Sequence, residues 1–143
     1  MKKVGFVCTG NTCRSPMAEG IFNSISKNFI ASSMGIFPTY SSAASNAILV
    51  LKDKGIDISN HISSGLEDIS SYSLILTMTE DQADMLNSIY KEVKIFSIKE
   101  YATGVKGDVI DPYGGSLEIY RKTSNEINDL VVKIVKKLEE EGI

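Results

Sequence analysis

The residues best suited to chemistry lie in one short segment, Cys8 to Ser15, which reads Cys-Thr-Gly-Asn-Thr-Cys-Arg-Ser. Cys8 can supply a thiolate nucleophile, and Arg14, six positions later, can hold two oxygens of a phosphoryl group with its guanidinium. A loop wrapped around a helix N-terminus directs its backbone N–H groups inward, where they bind an anion. These N–H groups, the helix dipole and Arg14 all favour the thiolate, to which Ser15 can donate a hydrogen bond. The spacing predicts nucleophilic phosphoryl transfer through a phosphocysteine.

Such a reaction also needs an acid that protonates the leaving group. Asp111 precedes Pro112, so its backbone is held extended, and it lies near the end of the irregular stretch 102–115. On its own an Asp-Pro pair indicates a turn. No other Asp or Glu lies on so suitable a loop, and we therefore interpret Asp111 as the acid.

The elements around these residues alternate between strands and helices. An apolar run at 4–7 predicts the first strand, and Ser15 as N-cap with Pro16 as first helical residue predicts a helix directly after the loop. Further strands are predicted at 29–33, 73–78 and 93–97, and further helices at 44–54, at 80–89 and from a cap at Ser116 onward. This order predicts a small, open, parallel α/β sheet with helices on both faces.

Composition narrows the functional classes. A chain of 143 residues with 43% apolar residues is expected to form one domain over 1–143. The net charge of -3 argues against nucleic acid and membrane surfaces as partners. No segment approaches the roughly 18 apolar residues of a membrane span, and the run after Lys3 is too short for a signal sequence. We expect a cytoplasmic protein, in which two cysteines are no disulfide scaffold.

The segment Val7 to Glu19 resembles the phosphate-binding loop of the low-molecular-weight protein-tyrosine-phosphatase family. The likeness continues through residues 55–59 with His61, through residues 74–78, and to the run Asp111 to Gly114, so it covers nearly the whole chain. The resemblance implies a four-stranded parallel sheet flanked by helices. It also implies a phosphatase that acts on phosphorylated proteins without a cofactor or metal.

Within that family the chain is most similar to the bacterial protein-arginine phosphatases. Thr12 stands where tyrosine phosphatases usually carry an aliphatic residue, and the run Gly107 to Ser116 is typical of the arginine branch. Gly114 replaces a second aromatic residue that many tyrosine phosphatases carry, which weakens the case for gripping a phosphotyrosine ring. The resemblance therefore implies phosphoarginine as substrate, with a plain tyrosine phosphatase as the alternative.

The resemblance also implies a role for each site residue. Cys8 is implied to be the nucleophile, Arg14 the phosphate clamp and Asp111 the general acid. Asn11 is implied to hold the shape of the loop, partly through Ser15. The other members of the expected substrate and phosphate site are loop residues and two aromatic walls, namely Thr9, Gly10, Thr12, Cys13, Phe37 and Tyr113.

Two residues deserve both a structural and a functional interpretation. Cys13 is either a small packing residue or the partner of Cys8 in a reversible disulfide formed under peroxide, which would make the enzyme redox-sensitive. His61, the only histidine, is by itself more typical of a structural residue, and the resemblance implies that it braces Asn11. One histidine and two neighbouring cysteines make no plausible zinc site.

Two further classes share part of this pattern. Arsenate reductases with the same oxyanion loop need resolving cysteines later in the chain, and none follows Cys13. A phosphocysteine carrier of a sugar phosphotransfer system must avoid hydrolysis, whereas Arg14 together with Asp111 favours hydrolysis. Release of phosphate from an aryl phosphate without metal would separate a phosphatase from a carrier.

Overall fold

Strands and helices alternate along the chain in the computed structural model, which describes residues 1–143. The strands are β1 (Lys2–Cys8), β2 (Phe29–Gly35), β3 (Leu74–Thr77) and β4 (Ile95–Ser97). The helices are α1 (Arg14–Ile25), α2 (Ser45–Lys52), α3 (Glu80–Ile89), α4 (Ile98–Thr103) and α5 (Leu117–Glu141), with a 3-10 turn at Ile69–Ser71.

The four strands form one sheet in the order β2-β1-β3-β4, and every neighbouring pair is parallel. Parallel strands joined by helices need cover on both faces, which explains why β1 is buried from Val4 to Cys8. On one face Phe6 packs in the larger core with residues of α1, α2 and α5. On the other face Val7 packs with Leu86 of α3. The predicted fold class is confirmed.

Several predicted boundaries are correct. Helix α3 spans the predicted 80–89, because Thr79 and Gln82 form a capping box at its start. Ser116 caps α5 as expected, since its Oγ accepts a hydrogen bond from the N–H of Ile119 at 3.3 Å.

Other boundaries were wrong. Helix α1 begins at Arg14 with Cys13 in the cap position, so Ser15 is not its N-cap. Helix α2 ends at Lys52 rather than reaching residue 54. Helix α4 was missed because it follows β4 without a break. The side chain of Ser97 caps it at 3.1 Å from the N–H of Glu100.

None of the helices combines the length and the apolar character needed to cross a lipid bilayer.

Candidate active site

The loop between β1 and α1 lies at the carboxyl edge of the sheet, directly after β1, one of its two inner strands. Ligands of open α/β sheets bind at this edge, where strand ends and helix starts leave a crevice. Cys8 is the last residue of β1, and Arg14 is the first of α1. Both are buried, as are Asn11 between them and Ser15 directly after Arg14. We call these four buried residues the floor of the site.

Two hydrogen-bond donors reach the sulfur of Cys8. The backbone N–H of Asn11 lies 3.2 Å from Sγ, and Oγ of Ser15 lies 2.9 Å from it. Asn11 Oδ1 accepts from the N–H of Ser64 at 2.9 Å, so its amino group faces Ser15 Oγ, at 2.8 Å. Ser15 Oγ therefore accepts from Asn11, and it donates its own O–H to the sulfur when Cys8 is a thiolate, which can only accept. Both donors stabilise negative charge on Cys8.

Asn11 adopts a left-handed backbone, with φ of 58°, which costs energy for a residue other than glycine. Its surroundings hold it there: besides the contacts of its amide, its carbonyl oxygen lies 2.7 Å from Nε2 of His61. Because a carbonyl can only accept, Nε2 of His61 carries the proton. The loop is thus tied to the segment 61–64.

The residues at the end of β2 and directly after it support the loop from below, a contact that sequence reasoning missed. The N–H groups of Ile36 and Phe37 donate to the carbonyls of Cys8 and Thr9 at 3.1 and 2.8 Å. A Cβ on Gly35 would lie 2.9 Å from Cβ of Asn11 and 2.9 Å from the carbonyl oxygen of Thr9. Only glycine permits this approach.

Arg14 connects the floor to the loop that carries Asp111. Its Nη1 donates to the carbonyl oxygen of Val109 at 2.9 Å, and Nη2 lies 3.6 Å from Oδ2 of Asp111. Its Nε is buried and has no hydrogen-bond partner, so that N–H is free for an oxygen of a bound phosphoryl group. Asp111 is half-exposed, and its Oδ1 accepts from the N–H of Tyr113 at 3.1 Å.

A cavity of about 430 Å³ opens above the floor. Among the residues expected at the site, those that line it are Cys8, Thr9, Gly10, Thr12, Cys13, Arg14, Phe37, Asp111 and Tyr113. Asn11, Ser15 and His61 do not line it; their contacts lie within the loop and behind it. Four lining residues were not expected at the site. Thr39, Ser41 and Ser42 belong to an irregular segment without a motif, and Ala44 was predicted only as the start of a helix.

The two aromatic side chains at the cavity, Phe37 and Tyr113, are 73% and 76% exposed. Next to Tyr113, Gly114 has φ of +79°, which favours glycine over any aromatic residue. We call Phe37, Asp111 and Tyr113 the rim of the site.

Cys13 is buried, and its sulfur lies 3.2 Å from the phenol oxygen of Tyr120 in α5. Burial raises the pKa of the Cys13 thiol, and burial likewise raises the pKa of Tyr120. Both groups are therefore neutral near pH 7. Tyr120 was missed because it lies 107 positions from Cys13. Its burial suits a packing residue, and a reversible disulfide with Cys8 stays a prediction.

No three His, Cys, Asp or Glu side chains come together in a way that could hold a metal ion. The polar groups that the structure places at the site are the Cys8 thiol, the Arg14 guanidinium, the backbone N–H of Asn11 and the Asp111 carboxylate.

Among open parallel α/β folds, a buried thiol and an arginine at the two ends of an anion-binding loop are typical of cysteine-dependent phosphatases. A family model described as low molecular weight phosphotyrosine protein phosphatase matches residues 3–142. The chain belongs to this family.

Similar proteins are described either as arginine phosphatases or as tyrosine phosphatases. A protein-arginine-phosphatase of Bacillus subtilis strain 168 is 41% identical over 145 residues, which cover 95% of this chain and 96% of the relative. A structure of YwlE arginine phosphatase, in a Cys-to-Ser mutant with a phosphorylated active site serine, matches with a TM-score of 0.92, 38% identity and 97% coverage of each chain. A low molecular weight protein tyrosine phosphatase from T. tengcongensis matches with a TM-score of 0.91 and 47% identity, covering 96% of this chain and all of the other.

Proposed function

We propose that this cysteine-dependent phosphatase is a protein-arginine phosphatase. The observation that carries the proposal is the abundance of hydroxyl groups around the cavity, on Thr9, Thr12, Thr39, Ser41 and Ser42. A phosphoarginine brings several N–H donors directly behind phosphorus, and a buried donor left unpaired costs about 1–3 kcal/mol. Hydroxyl oxygens can accept hydrogen bonds from these N–H groups. The phenyl ring of a phosphotyrosine has no N–H group that could donate to them. The name of the Bacillus subtilis relative supports the same assignment.

In the first step Cys8 Sγ attacks phosphorus in line, so that the S–P bond forms while the P–N bond breaks. Asp111 gives its proton to the leaving guanidine nitrogen. The loop N–H groups and Arg14 bind the equatorial oxygens, where charge accumulates. The unpartnered Nε of Arg14 supports this role.

In the second step water attacks the phosphocysteine, and the carboxylate of Asp111 takes the proton of that water. The S–P bond breaks, inorganic phosphate leaves and the sulfur departs as a thiolate. The donors on Ser15 and Asn11, at 2.9 and 3.2 Å from the sulfur, favour that departure. His61 keeps Asn11 in its left-handed conformation throughout.

We extend the proposal to the setting of the reaction. The enzyme is a single domain over residues 1–143 that acts on phosphorylated proteins in the cytoplasm, without nucleic acid or membrane partners. The net charge of -3 is consistent with that choice of partners.

The second candidate is a tyrosine phosphatase. It is favoured by the exposed rings of Phe37 and Tyr113 beside the cavity, which suit a phenyl ring. The name of the T. tengcongensis relative points the same way.

The experiment compares kcat/KM on phosphoarginine and phosphotyrosine peptides of otherwise equal sequence, for the wild type and for Thr12→Ile. Isoleucine removes an acceptor and adds an apolar wall. We expect kcat/KM on phosphoarginine to fall about tenfold or more, equivalent to about 1.4 kcal/mol. Activity on phosphotyrosine should hold or rise.

Thr12→Ser is the matched control, because it keeps the hydroxyl and should keep the preference for phosphoarginine. A wild type that prefers phosphotyrosine contradicts the proposal. So does a Thr12→Ile variant in which the ratio of the two activities is unchanged.

A further inference from the structure

The hydroxyl of Thr9, beside the cavity, is held by the side-chain amide of Gln82, which belongs to another part of the fold. Gln82, in the first turn of α3, is 8% exposed. Its Oε1 accepts from the backbone N–H groups of Met78 and Thr79 at 3.0 and 3.1 Å. Its Nε2 lies 3.1 Å from Oγ1 of Thr9, a residue that lines the cavity.

The directions of these hydrogen bonds follow from chemistry. Backbone N–H groups can only donate, so the oxygen of Gln82 must face Met78 and Thr79, and its amino group must face Thr9. The Thr9 hydroxyl oxygen therefore accepts from Gln82. Its own proton points elsewhere, and Oγ1 has no other hydrogen-bond partner within the protein. One O–H and one lone pair of Thr9 remain free beside the cavity.

We propose that Thr9 is a specificity-determining residue and that Gln82 is the positioning residue that sets the direction of its hydroxyl. The inference rests on the proposed function for the identity of the substrate. In a bound phosphoarginine, the free lone pair of Thr9 accepts an N–H of the guanidinium, and its O–H donates to a phosphoryl oxygen. An aryl phosphate can use only the second of these contacts, because its ring has no N–H donor.

Gln82 matters because a threonine hydroxyl rotates freely unless a partner fixes it. With one lone pair occupied by Gln82, the remaining lone pair and the proton have defined directions. Binding then loses less rotational freedom, which is the advantage of a preorganised site. The same logic operates below the nucleophile, where Asn11 fixes the hydroxyl of Ser15.

The first arm of the test removes the hydroxyl. Thr9→Val keeps the shape of the side chain, and we expect it to lower kcat/KM on a phosphoarginine peptide about tenfold, since both hydrogen bonds between Thr9 and this substrate are lost. On a matched phosphotyrosine peptide the loss should stay below about threefold, because only the donor contact is lost. Thr9→Ser restores the hydroxyl and should recover most of the activity.

The second arm asks whether Gln82 acts through Thr9. Gln82→Met should lower kcat/KM on phosphoarginine about fivefold in the wild type, because Thr9 keeps its hydroxyl but loses its orientation. In the Thr9→Val background the same change should have an effect below about twofold, since no hydroxyl is left to orient.

Thr79→Ala controls for damage to the start of α3, because Thr79 Oγ1 caps this helix at 3.2 Å from the N–H of Gln82 but does not contact Thr9. It should lower the unfolding temperature and leave the ratio of the two substrate activities unchanged. Gln82→Met must change that ratio, which loss of a helix cap alone would not do.

The outcomes separate the two proposals. The wild type could prefer phosphoarginine while the effects of Gln82→Met and Thr9→Val multiply independently. In that case Gln82 does not act through Thr9, and the proposed function stands. If Thr9→Val lowers both activities equally, Thr9 does not determine specificity. If the wild type prefers phosphotyrosine, the proposed function fails, and with it the substrate assigned to Thr9.

Discussion

The floor and the rim of the site are built in opposite ways. On the floor, Asn11 and Ser15 are 0% exposed, and each polar side chain has a partner that fixes its direction. On the rim, Phe37 and Tyr113 are largely exposed, and Asp111 touches Arg14 only at 3.6 Å. In the proposed mechanism the floor binds the phosphoryl group, which is the same in every substrate. The rim contacts the side chain that carries this group, which differs between substrates.

The fold explains this division. The floor joins the end of β1, a buried inner strand, to the start of α1, and the residues directly after β2 support it from below. The rim lies on irregular segments, as substrate-contacting residues often do. Val109 links the two regions, because its carbonyl accepts from Arg14 of the floor and it lies two positions before Asp111 of the rim. Its N–H also donates to the carbonyl of Met78 at 2.8 Å, which attaches this segment to the end of β3.

The largest expected effect comes from removing the nucleophile while keeping the rest of the floor. Cys8→Ser should abolish turnover, because a hydroxyl in this cradle is a far weaker nucleophile than a thiolate. Inorganic phosphate should still bind, since Arg14 and the loop N–H groups remain, and calorimetry would measure that binding. Activity above about one percent would contradict the assignment, because a hundredfold loss is modest for a nucleophile.

The next largest effect concerns the charged residue of the rim. Asp111→Asn should slow cleavage of a poor leaving group by about 100-fold or more, a typical contribution of a general acid. An activated aryl phosphate, whose leaving group needs little protonation, should lose much less. The measurement is the rate of phosphocysteine formation with p-nitrophenyl phosphate and with phenyl phosphate. Equal losses on the two substrates would mean that Asp111 is not the acid.

The sequence predicted the fold and the floor well because both rest on local signals. Apolar runs that alternate with helical patterns indicate the strands. The spacing between Cys8 and Arg14 indicates an anion-binding loop. The role of Asp111 was predicted because the reaction needs an acid, not from a sequence pattern, and it stays a prediction. The error at Ser15 has a physical cause: its side chain suits a helix cap, but it bonds Cys8 and Asn11 instead.

The residues that sequence reasoning missed act across long stretches of chain. Gln82 reaches Thr9 over 73 positions, and Tyr120 reaches Cys13 over 107. Gly35 is required only because the loop above it leaves no room for a Cβ. Such contacts exist only once the sheet has assembled, so neither periodicity nor motif spacing indicates them.

The smallest expected effect tests whether the aromatic part of the rim serves recognition alone. The Tyr113 ring is exposed beside the cavity, and its backbone N–H, not its ring, contacts Asp111. A ring facing a guanidinium at an exposed site contributes about 0.5–1 kcal/mol, which is a factor of about 2 to 5 in affinity. Tyr113→Ala should therefore raise KM on a phosphoarginine peptide about two- to fivefold and leave kcat nearly unchanged. Tyr113→Phe keeps the ring and should behave like the wild type. If Tyr113→Ala instead lowers kcat at constant KM, the ring helps to place Asp111 for proton transfer, and the division between a chemical floor and a recognising rim does not hold at this residue.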